Sequence, residues 1–127
     1  MAIAGRVKIF FDGGWRPATG METAVVVQGR DYVRQGLGPG SAMDAEWLAL
    51  LHAVELAGEL GLHEAAFLGD SLAVVGQANG TVRCPRDHIR YRQALAALQP
   101  PPGRLRIHHV KRSQNLAGVA LARLHER

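Results

Sequence analysis

From Arg6 to Asp12 the chain reads Arg-Val-Lys-Ile-Phe-Phe-Asp, β-branched and aromatic with a two-residue alternation, which predicts a central strand. The pattern then breaks: GGWRPATG, with Gly13, Gly14, Pro17 and Gly20, is turn chemistry throughout. METAVVVQ and DYVRQGL predict two further short strands, and Gly29-Arg30 between them predicts a hairpin. After GPGS, the apolar residues Trp47, Leu50, Leu51, Val54 and Ala57 recur at helical spacing from Met43 to about Leu60, where Gly61 supplies a stop. EAAFLG is short, apolar and bounded by polar residues, as a buried parallel strand is. SLAVVGQANG predicts a short helix capped by Ser71, and a second helix runs from about Arg86 until the Pro100–Pro102 run closes it. RLRIHHV predicts a fifth strand and Asn115–Glu126 a terminal helix. The order βββαβααβα, without repeat or linker, predicts one α/β domain, residues 1–127, around a five-stranded mixed sheet.

Composition narrows the class. At 127 residues, nearly half of them hydrophobic, the chain is long enough to bury a core without disulfides. The single cysteine, Cys84, excludes a disulfide framework and a thiolate zinc site. No apolar run approaches a membrane span and no signal-peptide segment opens the chain, so a cytoplasmic setting is expected. The net charge of +4 conceals an asymmetry: residues 1–80 hold 5 Lys/Arg against 9 Asp/Glu, and residues 81–127 hold 10 against 2. An arginine-rich half beside an acidic one suits a polyanion held by its phosphates, and suits equally a merely soluble basic surface.

Three acids stand at element ends in this reading: Asp12 after the first strand, Glu46 in the first turn of the long helix, and Asp70 after the buried strand. Strand ends that neighbour one another would bring Asp12 and Asp70 together, with Glu46 pointing across the same edge. Mg²⁺ takes one to three carboxylates and keeps several waters, so this set suits it. Each acid also has an ordinary structural use. Asp12 fits a turn, Asp70-Ser71 a helix cap, and Glu46 complements a helix dipole, a part that Asp44 plays as well.

FDGG, DAEWLALLHAVELA, FLGDSLAVVGQ and IHHVKRSQNLAGVALA together, in that order, resemble the ribonuclease H type 1 family from about Arg6 to Arg123. The resemblance implies a ribonuclease H-like fold, two Mg²⁺ ions (or Mn²⁺), and hydrolysis of the RNA strand of RNA–DNA hybrids. It assigns Asp12, Glu46 and Asp70 to catalysis and metal binding. It implies substrate contacts at Gly13, Gly14, Trp15, Ser41, Lys111, Arg112 and Asn115, and phosphate contacts along Arg83, Arg86, Arg90 and Arg92.

The same resemblance exposes departures. The family's fourth acid lies four residues after the asparagine matching Asn115, and that position is Val119. Asn115, one turn earlier, offers a neutral oxygen there. Of His108 and His109, one must face the helix side, as an Mn²⁺ ligand or as an ordinary strand histidine. Ala18-Thr19-Gly20 and Ala42-Met43 stand where the family usually carries asparagines that contact the hybrid. The expectation is therefore an endoribonuclease with attenuated or Mn²⁺-preferring cleavage, the alternative being a catalytically impaired nucleic-acid-binding module of the same fold.

Overall fold

The computed structural model describes residues 6–98 and 105–125. Five strands form one sheet: β1 (Val7–Arg16), β2 (Gly20–Val27), β3 (Arg30–Arg34), β4 (Ala65–Gly69) and β5 (Arg106–His109). Four helices accompany them: α1 (Ala42–Glu59), α2 (Leu72–Asn79), α3 (Ile89–Ala97) and α4 (Leu116–Leu124). The spatial order is β3-β2-β1-β4-β5, antiparallel through the first three strands and parallel from β1 to β4 to β5. This is the mixed sheet expected from the element order. Among the described residues no helix is long and apolar enough to cross a membrane.

Strand alternation divides the core. Ile9, Phe11, Val25 and Val27 face α1 and pack with Trp47, Leu50 and Val54. Phe10, Ala24 and Val26 face the other way, onto Ala117, Ala120 and Leu121 of α4. A fully buried side chain of the Phe11 or Leu50 kind contributes about 1.5–3 kcal/mol. Asp12 shares the parity of Phe10, so its carboxylate emerges on the α4 side of the central strand.

Two local expectations change. GGWR is not a turn: Gly13, Gly14, Trp15 and Arg16 continue β1, opposite Thr23, Glu22, Met21 and Gly20, and only Pro17–Thr19 turn. The reason is tertiary. A Cβ on Gly13 would lie 2.1 Å from the carbonyl oxygen of Ala45, so the glycine lets the start of α1 rest on the strand. The β2–β3 hairpin turns on Gln28-Gly29, one residue earlier than expected, with φ of 51° and 81° and Val27 paired to Arg30. A two-residue turn with both central residues at positive φ matches the twist of the flanking strands. A 3₁₀ turn, Arg86–His88, precedes α3. The Pro100–Pro102 run and the end of the terminal helix at Glu126 lie outside the described residues.

Candidate metal centre and nucleic-acid interface

Parallel pairing of Phe10 with Leu68 carries Asp12 and Asp70 to neighbouring positions at one sheet edge. Asp70 directly follows β4 and precedes Ser71, whose hydroxyl accepts from the Val74 N–H and caps α2. Glu46 is the fifth residue of α1, so it sits in the second turn and not the first. The first turn belongs to Asp44, which closes a capping box with Ser41. Glu46 is aimed by the strand below: the Gly13 N–H donates to its Oε1 at 3.0 Å. Ligand oxygens of Asp12, Glu46 and Asp70 all lie within 4.8 Å of one another.

The electrostatics are those of a site that calls for a cation. Asp12 is 0% exposed, and its Oδ2 has no hydrogen-bond partner. Leaving a buried acceptor unsatisfied carries its full desolvation penalty. Burial raises the Asp12 carboxyl to about 6 although Arg112 pulls it down, and the charge of Asp70 adds to the rise. Burial and then the charge of Asp12 push Glu46 up to about 8. Three carboxylates this close do not all ionise comfortably without positive charge among them. A hard divalent cation, bound through oxygens at short range, fits this donor set.

The remaining site residues divide sharply. Arg112 joins the cluster: its Nη1 donates to Asp12 Oδ1 and to Asp70 Oδ2, each at 3.0 Å. Asn115 holds the cluster from beneath, donating from Nδ2 to Asp70 Oδ2 at 2.7 Å and to the Phe11 carbonyl at 3.0 Å. Its Oδ1 accepts from the Ala117 N–H as the N-cap of α4. Fully buried with both ends of its amide engaged, Asn115 has no free oxygen for a cation and no exposed edge for a substrate. This corrects its expected place among the substrate contacts and as a substitute ligand.

Val119 is on α4 and 43% exposed; Gly118, just before it, is the residue that faces Asp12 Oδ2. His108 and His109 are both exposed on the edge strand and lie outside the acidic cluster. Gly14 and the half-exposed Trp15 line a cleft of about 440 Å³ with Asp12, Glu22 and Arg112. Lys111 is exposed next to Arg112. Ser41 is exposed, but its hydroxyl donates to Asp44 Oδ2 and accepts from the Asp44 N–H, so its first use is the cap.

The four arginines of the basic segment part company. Arg83 and Arg92 line a cavity of about 700 Å³ with Val82, Ile89 and Gln93. Arg90 instead lies over the Tyr91 ring, 4.7 Å from its centroid, and Arg86 is exposed in the 3₁₀ turn. Two further acids outside the cluster are engaged within the fold. Glu22, buried beneath α4, is held by His125 at 2.8 Å and lies 3.8 Å from Arg16. Asp44 also accepts from Tyr91 Oη at 3.0 Å, with His88 3.4 Å away.

Residues 21–125 match the model of the reverse transcriptase-like family. The chain belongs to that family. Its ribonuclease H fold is shared with RNase H1 from the halophilic archaeon Halobacterium salinarum NRC-1, 29% identical over 91% of this chain and 93% of that one, with a TM-score of 0.79. The N-terminal RNase H domain of a Mycobacterium tuberculosis protein, solved as a fusion with maltose binding protein, is 26% identical over 95% and 99%, with a TM-score of 0.72. LC11-RNase H1, solved in complex with an RNA/DNA hybrid, has the same fold at 23% identity over 86% and 88%, with a TM-score of 0.72. No curated protein matches the sequence. Within the reverse transcriptase-like family, the Asp12–Glu46–Asp70 cluster is where this chain concentrates its acids at a strand edge.

Proposed function

We propose that this chain is a metal-dependent endoribonuclease of the ribonuclease H type, a single domain over residues 1–127 that cleaves the RNA strand of RNA–DNA hybrids. The observation that carries the reading is the convergence of three carboxylates within 4.8 Å, one with a buried, unpartnered oxygen, on a ribonuclease H fold. Asp12, Glu46 and Asp70 are its metal-binding and catalytic residues. Bound among them, a divalent cation supplies activation of water and stabilisation of the leaving oxygen. The protein's own part is positional. Gly13 fixes Glu46 through its N–H, Asn115 fixes Asp70, and β1 fixes Asp12.

Substrate binding on this reading uses the cleft beside Asp12, lined by Gly13, Gly14, Trp15 and Arg112, with the exposed Lys111 next to Arg112 in the chain. Ser41 at the helix start offers a hydroxyl to a phosphate. Arg83, Arg86, Arg90 and Arg92 track the second strand by its phosphates, contacts that position without reading sequence. Val119 in place of the fourth acid leaves α4 without a carboxylate along Leu116–Leu124. That substitution attenuates cleavage and favours Mn²⁺ over Mg²⁺. The proposed setting is the cytoplasm.

The second reading, a hybrid-binding module without turnover, is favoured by that same carboxylate-free helix. Incubation of the protein with a labelled hybrid in Mg²⁺ or Mn²⁺ separates the two. The enzyme cuts the RNA strand faster in Mn²⁺, and Val119→Asp raises its Mg²⁺-supported rate about tenfold or more. Salt-dependent binding without cleavage in either ion leaves the module.

A further inference from the structure

We infer that Arg112 is the cluster's resident counter-ion, so that a divalent cation is bound in competition with this guanidinium and not in an open seat. The inference rests on the metal-centre reading above. It begins with a single nitrogen: Arg112 Nη1 is 3.0 Å from Asp12 Oδ1 and 3.0 Å from Asp70 Oδ2. One guanidinium nitrogen equidistant from two carboxylates, within hydrogen-bond reach of both, occupies the place of a bridging cation. Both carboxylates it joins are largely covered, with Asp12 buried and the Asp70 side chain 10% exposed. Their oxygens have little water to fall back on. Among the described residues no other cation pairs with Asp12, Glu46 or Asp70.

The backbone of α4 borders this arrangement at Gly118, where a Cβ would sit 3.6 Å from the guanidinium carbon and 3.4 Å from Asp12 Oδ2, both ordinary contact distances. Val119, the next residue, adds no negative charge that would have demanded a second cation. The Arg112 side chain is itself 68% exposed, entering from the 3₁₀ turn Arg112–Gln114, so it is able to swing out without disturbing the core. A cation shared by Asp12 and Asp70 meets the guanidinium at Asp12 Oδ1 and Asp70 Oδ2, and only Asp12 Oδ2 is left without a partner. The apparent affinity is then lowered by the fraction of molecules in which Arg112 is seated.

Mn²⁺ binding to the full chain without nucleic acid tests this, by titration calorimetry and by electron paramagnetic resonance of free Mn²⁺. Wild type is compared with Arg112→Gln and with Lys111→Gln, which removes an equal charge one residue away. Arg112→Gln should bind about tenfold more tightly than wild type, and Lys111→Gln within about twofold of it. In thermal melts, metal-free Arg112→Gln should unfold below wild type, and the difference should close or reverse at saturating Mn²⁺. If Arg112→Gln gains no more affinity than Lys111→Gln, the charge acts at a distance and the resident counter-ion is refuted. If neither wild type nor Arg112→Gln binds Mn²⁺, the metal centre itself falls, and the inference with it.

Discussion

Two acidic groups at the start of α1, Asp44 and the cluster holding Glu46, stand two residues apart in sequence and at opposite extremes of satisfaction. Asp44 accepts the Ser41 N–H and hydroxyl on one oxygen and Tyr91 Oη on the other. Burial acts to raise its carboxyl, but hydrogen bonds from the side chain and backbone of Ser41, then from Tyr91, outweigh burial and hold it below the usual value. Glu46 receives one N–H, from Gly13, while burial, then the charges of Asp12 and Asp70, push its carboxyl up to about 8. One group is finished within the fold. The other waits for charge from outside. Both acids belong to one helix, but Glu46 lies deeper, so burial and partners act together: the Asp44 carboxylate brings its donors with it, and the Glu46 carboxylate is buried with one.

The sharpest way to break this comparison is to remove the charge of each acid in turn. Asp70→Asn is expected to reduce hybrid cleavage by more than about a hundredfold while leaving the melting temperature near wild type. Asp44→Ala should instead lower stability by about 1–2 kcal/mol through loss of the capping box, with cleavage within a few-fold of normal. If Asp44→Ala matches Asp70→Asn in a cleavage assay, the division between structural and ligand acids is wrong.

Next in size is Gly13→Ala. A Cβ 2.1 Å from the Ala45 carbonyl oxygen must push α1 off β1, at about 2–3 kcal/mol, and carry Glu46 out of register. Denaturant unfolding and Mn²⁺ affinity should both fall. Unchanged affinity would separate the placement of Glu46 from the glycine.

The smallest effect is a pair of opposed pH slopes. Asp12 and Glu46 have folded pKa values raised to about 6 and about 8. Their stabilising contribution is complete below the ordinary carboxylate range and is lost as pH rises through those values. Saturating Mn²⁺ should therefore raise the melting temperature more at pH 8 than at pH 5. His52 runs the other way. Buried against Thr23 Oγ1 at 2.9 Å, it is lowered to about 4 by burial and then by Arg34. Its contribution is present above the ordinary imidazole value and is lost as pH falls from 6.5 toward 4. His52→Gln should flatten that acid limb by about 5 °C in thermal scans. An acid limb as steep as wild type would assign it to another group.

Much of the fold was legible because it rests on local periodicity. Strand alternation in VKIFF and the 3.6-residue recurrence of Trp47, Leu50, Val54 and Ala57 name both the elements and the faces they bury. The misread positions are those where one residue type serves two ends. Gly13 and Gly14 read as turn because glycine usually permits φ > 0, yet here Gly13 permits a helix to approach a strand. Asn115 read as a substrate contact, yet its amide is consumed by Asp70, Phe11 and Ala117. The four arginines of the basic segment keep different company, Arg90 against Tyr91 and Asp44, and Arg83 and Arg92 on one cavity, a distinction that charge alone does not carry.

Sequence alone determined the element order, the mixed sheet and the identity of three acids near element ends, because each follows from patterns within a dozen residues. Tertiary structure alone decided how those acids meet: parallel pairing of β1 with β4 sets Asp12 beside Asp70, and Gly13 admits Glu46 from the far side of the sheet. It alone seated Arg112 between two of them, 100 residues from Asp12 and 42 from Asp70 in sequence. Charge separation over such a distance leaves no local trace, since only the closed fold brings the partners within 3.0 Å.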